Sequence, residues 1–310
     1  MSRKNDLPPK AHEPNAEIET IIVPRARDLG GFSVRRALPS SERQMVGPFI
    51  FFDQIGPAEF APGKAVDVRP HPHIGLATAT YLYEGALRHR DSLGNALDIT
   101  PGAVNWMIAG KGITHSERSP EETRGQARRL SGIQTWVALP QDKEDMPPHF
   151  EHHGAASRPV LSDKGVEMRV ILGRAYGEVA AATLLSDTLY VDVHLAEGAS
   201  VPVPDDHEDR AIYVVDGRCR VAGQTIEAGE CAVFGSINAL TLKAEEGPVR
   251  LLLFGGETAD GPRHIWWNFV ASSMEKIEAA KADWAAARWQ EGRFQLPPDD
   301  AEEFIPLPSP

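Results

Sequence analysis

Four side chains in the first half of the chain have types and spacing suited to metal chemistry. His71-Pro72-His73 is an H-x-H and His115-Ser116-Glu117 an H-x-E, with 41 residues between His73 and His115. Along a β-strand, residues i and i+2 project to the same side, so His71 and His73 can point together, as can His115 and Glu117. Two such strands facing each other in a small barrel would bring three imidazoles and one carboxylate to a point. Three nitrogen donors and one oxygen suit a borderline divalent cation such as Fe, Mn, Ni, Cu or Zn. The remaining coordination positions would be open to water, dioxygen or substrate. An isolated H-x-H equally fits a pair of surface histidines. The second pair favours the metal: Gly110 and Gly112 stand just ahead of His115, where the backbone can bend a side chain inward.

The elements around these residues read as short strands. Glu17–Val23 is the first. A turn at Gly30-Gly31 leads to Phe32–Leu38, and Pro48–Phe52 is a short aromatic run between Gly47 and Asp53. In Leu76–Tyr83, Leu76, Thr78, Thr80 and Leu82 share one face and Ala77, Ala79, Tyr81 and Tyr83 the other. Glu84-Gly85 turns the chain into Ala86–Asp91. The second half repeats the rhythm with Thr188–Leu195, Ala211–Val215 and Val249–Phe254, and Tyr213–Gly217 echoes Tyr81–Gly85 as a weak internal repeat. Strand-length runs broken by Gly or Pro every 8–12 residues predict two similar all-β units, sandwich or barrel. The expected boundaries are a disordered tail over residues 1–16, an N-terminal metal-binding unit over 17–150, a C-terminal unit over 151–271, and a helix and tail over 272–310. The Pro-, His- and acid-rich stretch 140–159 reads as a connector. One segment is helical. Ser272 and Glu275 fit a capping box, Ile277, Ala280, Trp284 and Ala287 share a face, and Gly292 suits the stop. The tail from Leu296 has no period and reads as loose or laid along the surface.

Composition narrows the function class. Among 310 residues, 44 are acidic and 32 basic, a net charge of -12, which argues against nucleic-acid phosphate as the main partner. No stretch approaches a membrane span, and residues 1–16 lack the apolar core of a signal peptide. The two cysteines, Cys219 and Cys231, form no disulfide scaffold, so a reducing cytosol is the default compartment.

At this point whole segments resemble the pirin family of bicupins. HPHIGLATATYLYEG (71–85), HRDSLGN (89–95) and GAVNWMIAGKGITHSE (102–117) carry the likeness, with RDLGGFSVRRALP (27–39), PFIFFDQIGP (48–57), GIQTWVALP (132–140) and the C-terminal block 265–284. Ordinary cupins place a glutamate a few residues after the H-x-H. Here Gly75-Leu-Ala-Thr occupies that place and the carboxylate follows the third histidine, as in pirins. The resemblance implies an all-β bicupin: two tandem antiparallel jelly-roll barrels followed by an α-helix. It implies one divalent ion in the first barrel, usually Fe(II), with Mn, Ni, Cu, Co or Zn as alternatives, and His71, His73, His115 and Glu117 match the family's four ligands. Val203-Pro-Asp205 aligns with the H-x-H but lacks it, so the second barrel is expected to be empty despite His207 nearby. Two functions follow from the family. One is a quercetin 2,3-dioxygenase-like enzyme that opens a flavonol-type ring with O2, with Glu117 as ligand and base. The other is an iron-containing, redox-responsive regulator that binds a transcription factor or metabolic enzyme. The -12 charge favours a protein partner over DNA in the second case.

Other residues have plainer readings. Asp53 fits equally a support for a ligand histidine and a turn aspartate. His89 and Asp91 read as local hydrogen bonding, Trp106 and Met107 as core at least as readily as pocket, and Gln134 as an ordinary strand residue. His149, His152 and His153 read as a solvated linker. Arg35-Arg36 and Arg128-Arg129 are too few for nucleic acid.

Overall fold

A computed structural model of the protein describes residues 17–28, 32–236 and 239–309. The expected disordered tail (1–16) and the turn at Gly30-Gly31 lie outside the described residues. The architecture is all-β, with antiparallel sheets and, among the described residues, one α-helix.

In the first half, a seven-stranded sheet runs His149–His153, Val104–Ile108, Leu76–Glu84, Arg128–Ala138, Phe49–Phe60, Ser33–Leu38, Arg25–Asp28. A four-stranded sheet covers its inner face, in the order Asp67–His73, Ile113–Arg118, Leu87–Asp91, Ala96–Ile99. The second half repeats this. Ile18–Ile22, Cys231–Phe234, Asp209–Asp216, Val249–Gly256, Thr188–Leu195, Val166–Ala175 and Val160–Asp163 form the large sheet, with Glu178–Val179 beside Val166–Ala175. Ser200–Pro202, Thr241–Lys243, Arg218–Val221 and Gln224–Glu227 form the small one. Thus the first described strand, Ile18–Ile22, pairs with Cys231–Phe234 and completes the second half's sheet.

The two large sheets bury their outer faces against each other. Phe49 meets Tyr190 and Phe254 edge-on, and Phe52 packs on Tyr213 and Phe254. The repeated tyrosines reach across reciprocally. Tyr81 Oη donates to Asp192 Oδ2 at 2.7 Å, and Tyr213 Oη to Gln54 Oε1 at 2.7 Å. This explains the double-sided burial of Leu76–Glu84: Ala77, Ala79 and Tyr81 belong to the core between the halves, and Leu82 to the interior of the first barrel. The Tyr81→Phe variant leaves buried Asp192 short of one donor while Arg250 still holds it. Urea denaturation should show a loss of about 1–2 kcal/mol; an unchanged midpoint would mean that the hydroxyl contributes nothing to joining the halves.

Two sequence readings change, and a third, the tail's, is decided between its two alternatives. Residues 149–153 form an edge strand on Val104–Ile108, not a solvated linker. Its alternation of His and Glu hid it, because an edge strand with one wet face carries little apolar signal. Within it, His149 and His153 flank the Glu151 carboxylate, and His152 contacts Asn105. The helix spans Met274–Ala285 with Ser273, not Ser272, at the N-cap. Ser272 Oγ instead donates to buried Glu144, so the capping box is absent, and Ala287 lies beyond the helix end at φ +50°. Ile277, Ala280 and Trp284 do form the buried face. Finally, the tail is pinned: Ile305 N donates to Pro70 O, Trp284 Nε1 to Ile305 O, and Asp300 accepts from Ser116 and Arg118. Among the described residues no helix is long and apolar enough to cross a membrane.

Candidate metal centre

The H-x-H and H-x-E strands are hydrogen-bonded neighbours in the small sheet rather than strands facing across a barrel. His71 stands opposite His115, and a bulge between His115 and Glu117 sets Glu117 opposite Val68. The three imidazoles come together on the inner face, with a ligand atom of each within 4.8 Å of the others. All three rings are buried. Burial pushes each of them below the ordinary imidazole range, which keeps them neutral, the form a metal requires.

Hydrogen bonds fix the tautomers of two rings. His71 Nδ1 lies 2.9 Å from Arg69 O, and His73 Nδ1 lies 3.1 Å from Asn268 O. A carbonyl only accepts, so each Nδ1 carries the proton and each Nε2 presents a lone pair. His73 Nε2 then faces His115 Nε2 at 3.1 Å. His115 Nδ1 is buried without a partner among the described residues. Three imidazole nitrogens converging this closely, two of the rings fixed with a lone pair toward the group, form a donor set that fits a cation between them.

Glu117 stands apart from that three-histidine group. Its carboxylate accepts from Gln134 Nε2 at 2.8 and 3.0 Å and from Thr80 Oγ1 at 3.1 Å. It shares the cavity with the histidines and draws the His71 pKa upward against the effect of burial. The cavity has a volume of about 510 Å³, and its walls include His71, His73, Glu117, Gln134, Phe51 and Trp136. Phe51 and Trp136 stack at 4.0 Å between centroids, and His73 meets the Trp136 ring at 5.2 Å. The C-terminal block supplies Ile265, Trp267, Asn268 and Ile305 to the same wall.

Two of the plainer readings are corrected here, and those of His89, Asp91 and Trp106 stand. Asp53 neither supports a ligand histidine nor makes a turn. It lies mid-strand, forms a bidentate pair with Arg36 at 2.8 Å, and Arg36 in turn covers Phe51 at 4.3 Å. Gln134 is not an ordinary strand residue, since it clamps Glu117. The available signal was its parity with Trp136, opposite to Ile133, Thr135 and Val137. His89 does bond locally, to Asp91 at 3.0 Å, and Asp91 ties the turn at Leu93 and Asn95. Trp106 is core between the halves, with Nε1 donating to Thr183 O. In the second barrel the interior is filled by Met168, Val170, Val191, Val193, Ile212 and Val214, among others. His207 is spent on Asp187 and the Arg174 carbonyl. Cys219 and Cys231 are free and buried, and burial pushes both thiols up, that of Cys219 to about 12.

Comparison with known proteins agrees with this fold. The Pirin family model matches residues 31–137, and the Pirin C-terminal cupin domain model matches residues 190–294. A pirin-like protein of Caulobacter vibrioides is 47% identical over 294 residues, spanning 94% of this chain and 99% of that protein. Two crystal structures of quercetin 2,3-dioxygenase from Acinetobacter baumannii are similar in fold. One has 32% identity and a TM-score of 0.85, with 94% of this chain and 95% of that one covered. The other has 27% identity and a TM-score of 0.81, with 88% and 98% covered. With both barrels matched and close likeness over nearly its whole length, the chain belongs to the pirin family.

Proposed function

We propose that the chain is a metal-dependent dioxygenase of the quercetin 2,3-dioxygenase type, opening a flavonol-type ring with O2. We assign Fe(II) as its ion, held by His71, His73, His115 and Glu117. One observation carries the reading: neutral imidazoles turn their Nε2 atoms toward one another on the wall of an aromatic cavity of about 510 Å³. The names of the Acinetobacter baumannii relatives support the substrate class.

A divalent cation there would act as a Lewis acid on a ring hydroxyl of the substrate and lower its pKa. The protein's own groups do the rest. Trp136 and Trp267 line the cavity with aromatic surface for a planar substrate, and Phe51, held between Trp136 and Arg36, backs that wall. Glu117, an acceptor already inside the cavity, takes the hydroxyl proton as that O–H bond breaks. Ile305 and the aromatic walls exclude bulk water, which strengthens every charge interaction within.

Fe(II)-loaded protein mixed with quercetin under argon and then exposed to air should lose the flavonol absorbance and release CO. No loss of flavonol and no CO would overturn the proposal. Glu117→Gln separates the two roles given to Glu117. A ligand role expects metal affinity to fall with turnover, whereas a purely proton-accepting role leaves metal content intact.

A further inference from the structure

We infer that Gln134 is a ligand-binding and specificity residue of the cavity: its amide N–H group clamps Glu117, and its carbonyl oxygen receives a hydroxyl hydrogen of the bound polyphenol. The inference rests on the flavonol reading and names the residue that would select within that class.

The amide orientation is dictated by its neighbours. Gln134 Nε2 lies 2.8 and 3.0 Å from the two Glu117 oxygens and 3.4 Å from Thr80 Oγ1. Both carboxylate oxygens accept from the nitrogen; turning the amide over would set carbonyl lone pairs against carboxylate lone pairs. Thr80 reinforces this by giving its own hydroxyl hydrogen to Glu117 Oε1. The backbone adds a second constraint. Gln134 is cross-strand neighbour to Thr80 on one side and to Asp53 on the other. Asp53 is committed to Arg36 through both of its oxygens, so it cannot pull the amide away.

The carbonyl oxygen of Gln134 is thereby left on the cavity side of a fixed group. Among the described residues no donor reaches it, while the side chain lines the cavity beside Glu117, Trp136 and His73. The cavity therefore presents two adjacent fixed acceptors, the Gln134 carbonyl and the Glu117 carboxylate, close to aromatic faces. That pattern fits a planar phenol that brings hydroxyl hydrogens to this wall. It rejects the same ring system without them, because a fixed polar group would then be desolvated and left unpaired.

The test compares quercetin with 3-hydroxyflavone, which keeps the hydroxyl given above to the metal and Glu117 and lacks the others. Binding to metal-loaded protein under argon is followed by quenching of tryptophan fluorescence, with metal content matched between samples. Wild type should prefer quercetin. Gln134→Leu, and the longer Gln134→Met as a second variant against misfolding, should lose about 10-fold in quercetin affinity, the upper range for one hydrogen bond. Their affinity for the analogue should change by no more than about 2-fold, so the preference for quercetin narrows by about 5-fold or more. If the variants keep the wild-type preference, or weaken both compounds equally, the assignment of Gln134 is overturned while the flavonol reading stands. If wild type binds neither compound, the flavonol reading fails first and takes this inference with it.

Discussion

His115→Ala should hold less than about a tenth of the metal that wild type holds at stoichiometric loading, and with it should go the O2-dependent loss of flavonol. Removing only a hydrogen-bond partner of a metal ligand typically weakens binding 10–100-fold, and here a ligand itself is lost. His115 is the central ring of the group: its Nε2 faces that of His73, and its ring centroid lies 4.4 Å from that of His71. Without it, His71 and His73 remain as two neighbours on one strand. The fold should survive, because the small sheet is held by backbone ladders to Asp67–His73 and Leu87–Asp91 that the substitution leaves in place. Calorimetry separates metal loss from unfolding. Free metal at 1,000 times its dissociation constant stabilises a single-site protein by about 4 kcal/mol. Wild type should show that shift and His115→Ala should not, while their metal-free melting temperatures stay close. A His115→Ala protein that still carries one tightly bound ion would remove this site as the metal centre.

Much of this site was legible because it is written in short-range order. The i, i+2 rule puts His71 with His73 and His115 with Glu117, and strand parity divides Leu76–Tyr83 into two faces. What parity cannot say is what each face meets. Ala77, Ala79 and Tyr81 look outward in the first barrel but are buried, because the second half's large sheet covers them. The same non-local fact assigns Ile18–Ile22, the first described strand, to the sheet of the second half. Glu117 shows a subtler limit. Its spacing marks it as a fourth donor, yet its oxygens are met by Gln134 and Thr80, from two strands of the opposite sheet. A polar residue in an apolar strand, such as Gln134 in Gly132–Pro140, was the only local trace of that contact. The proline-rich tail left no trace, since its partners Pro70, Ser116, Arg118 and Trp284 are remote in sequence.

That tail underlies the second large effect. Trp284→Ala should cost about 3–5 kcal/mol, the range for emptying a buried tryptophan site. Trp284 is 1% exposed, and its ring sits edge-on among Trp289, Phe294 and Phe304 while Nε1 holds the Ile305 carbonyl. The loss should fall first on the C-terminal block, because the barrels have their own aliphatic cores and the block has this one cluster. Limited proteolysis should therefore cut near residues 297–309 under conditions where the barrels stay intact. The consequence reaches the proposed metal centre without touching a proposed ligand. Asp300 receives Ser116 Oγ and Arg118 Nε, both at 2.7 Å, and these residues flank Glu117 in sequence. Ile305 N holds the Pro70 carbonyl one residue before His71, and Ile305 itself closes the cavity wall. Undocking the segment frees both ligand strands on their outer side and admits water. Metal affinity should fall by about 10-fold, the lower end for loss of groups that orient ligands. Equilibrium metal competition on Trp284→Ala, paired with the proteolysis, decides the point. Wild-type affinity in a protein whose tail is demonstrably cut or released would show that the tail does not brace the site.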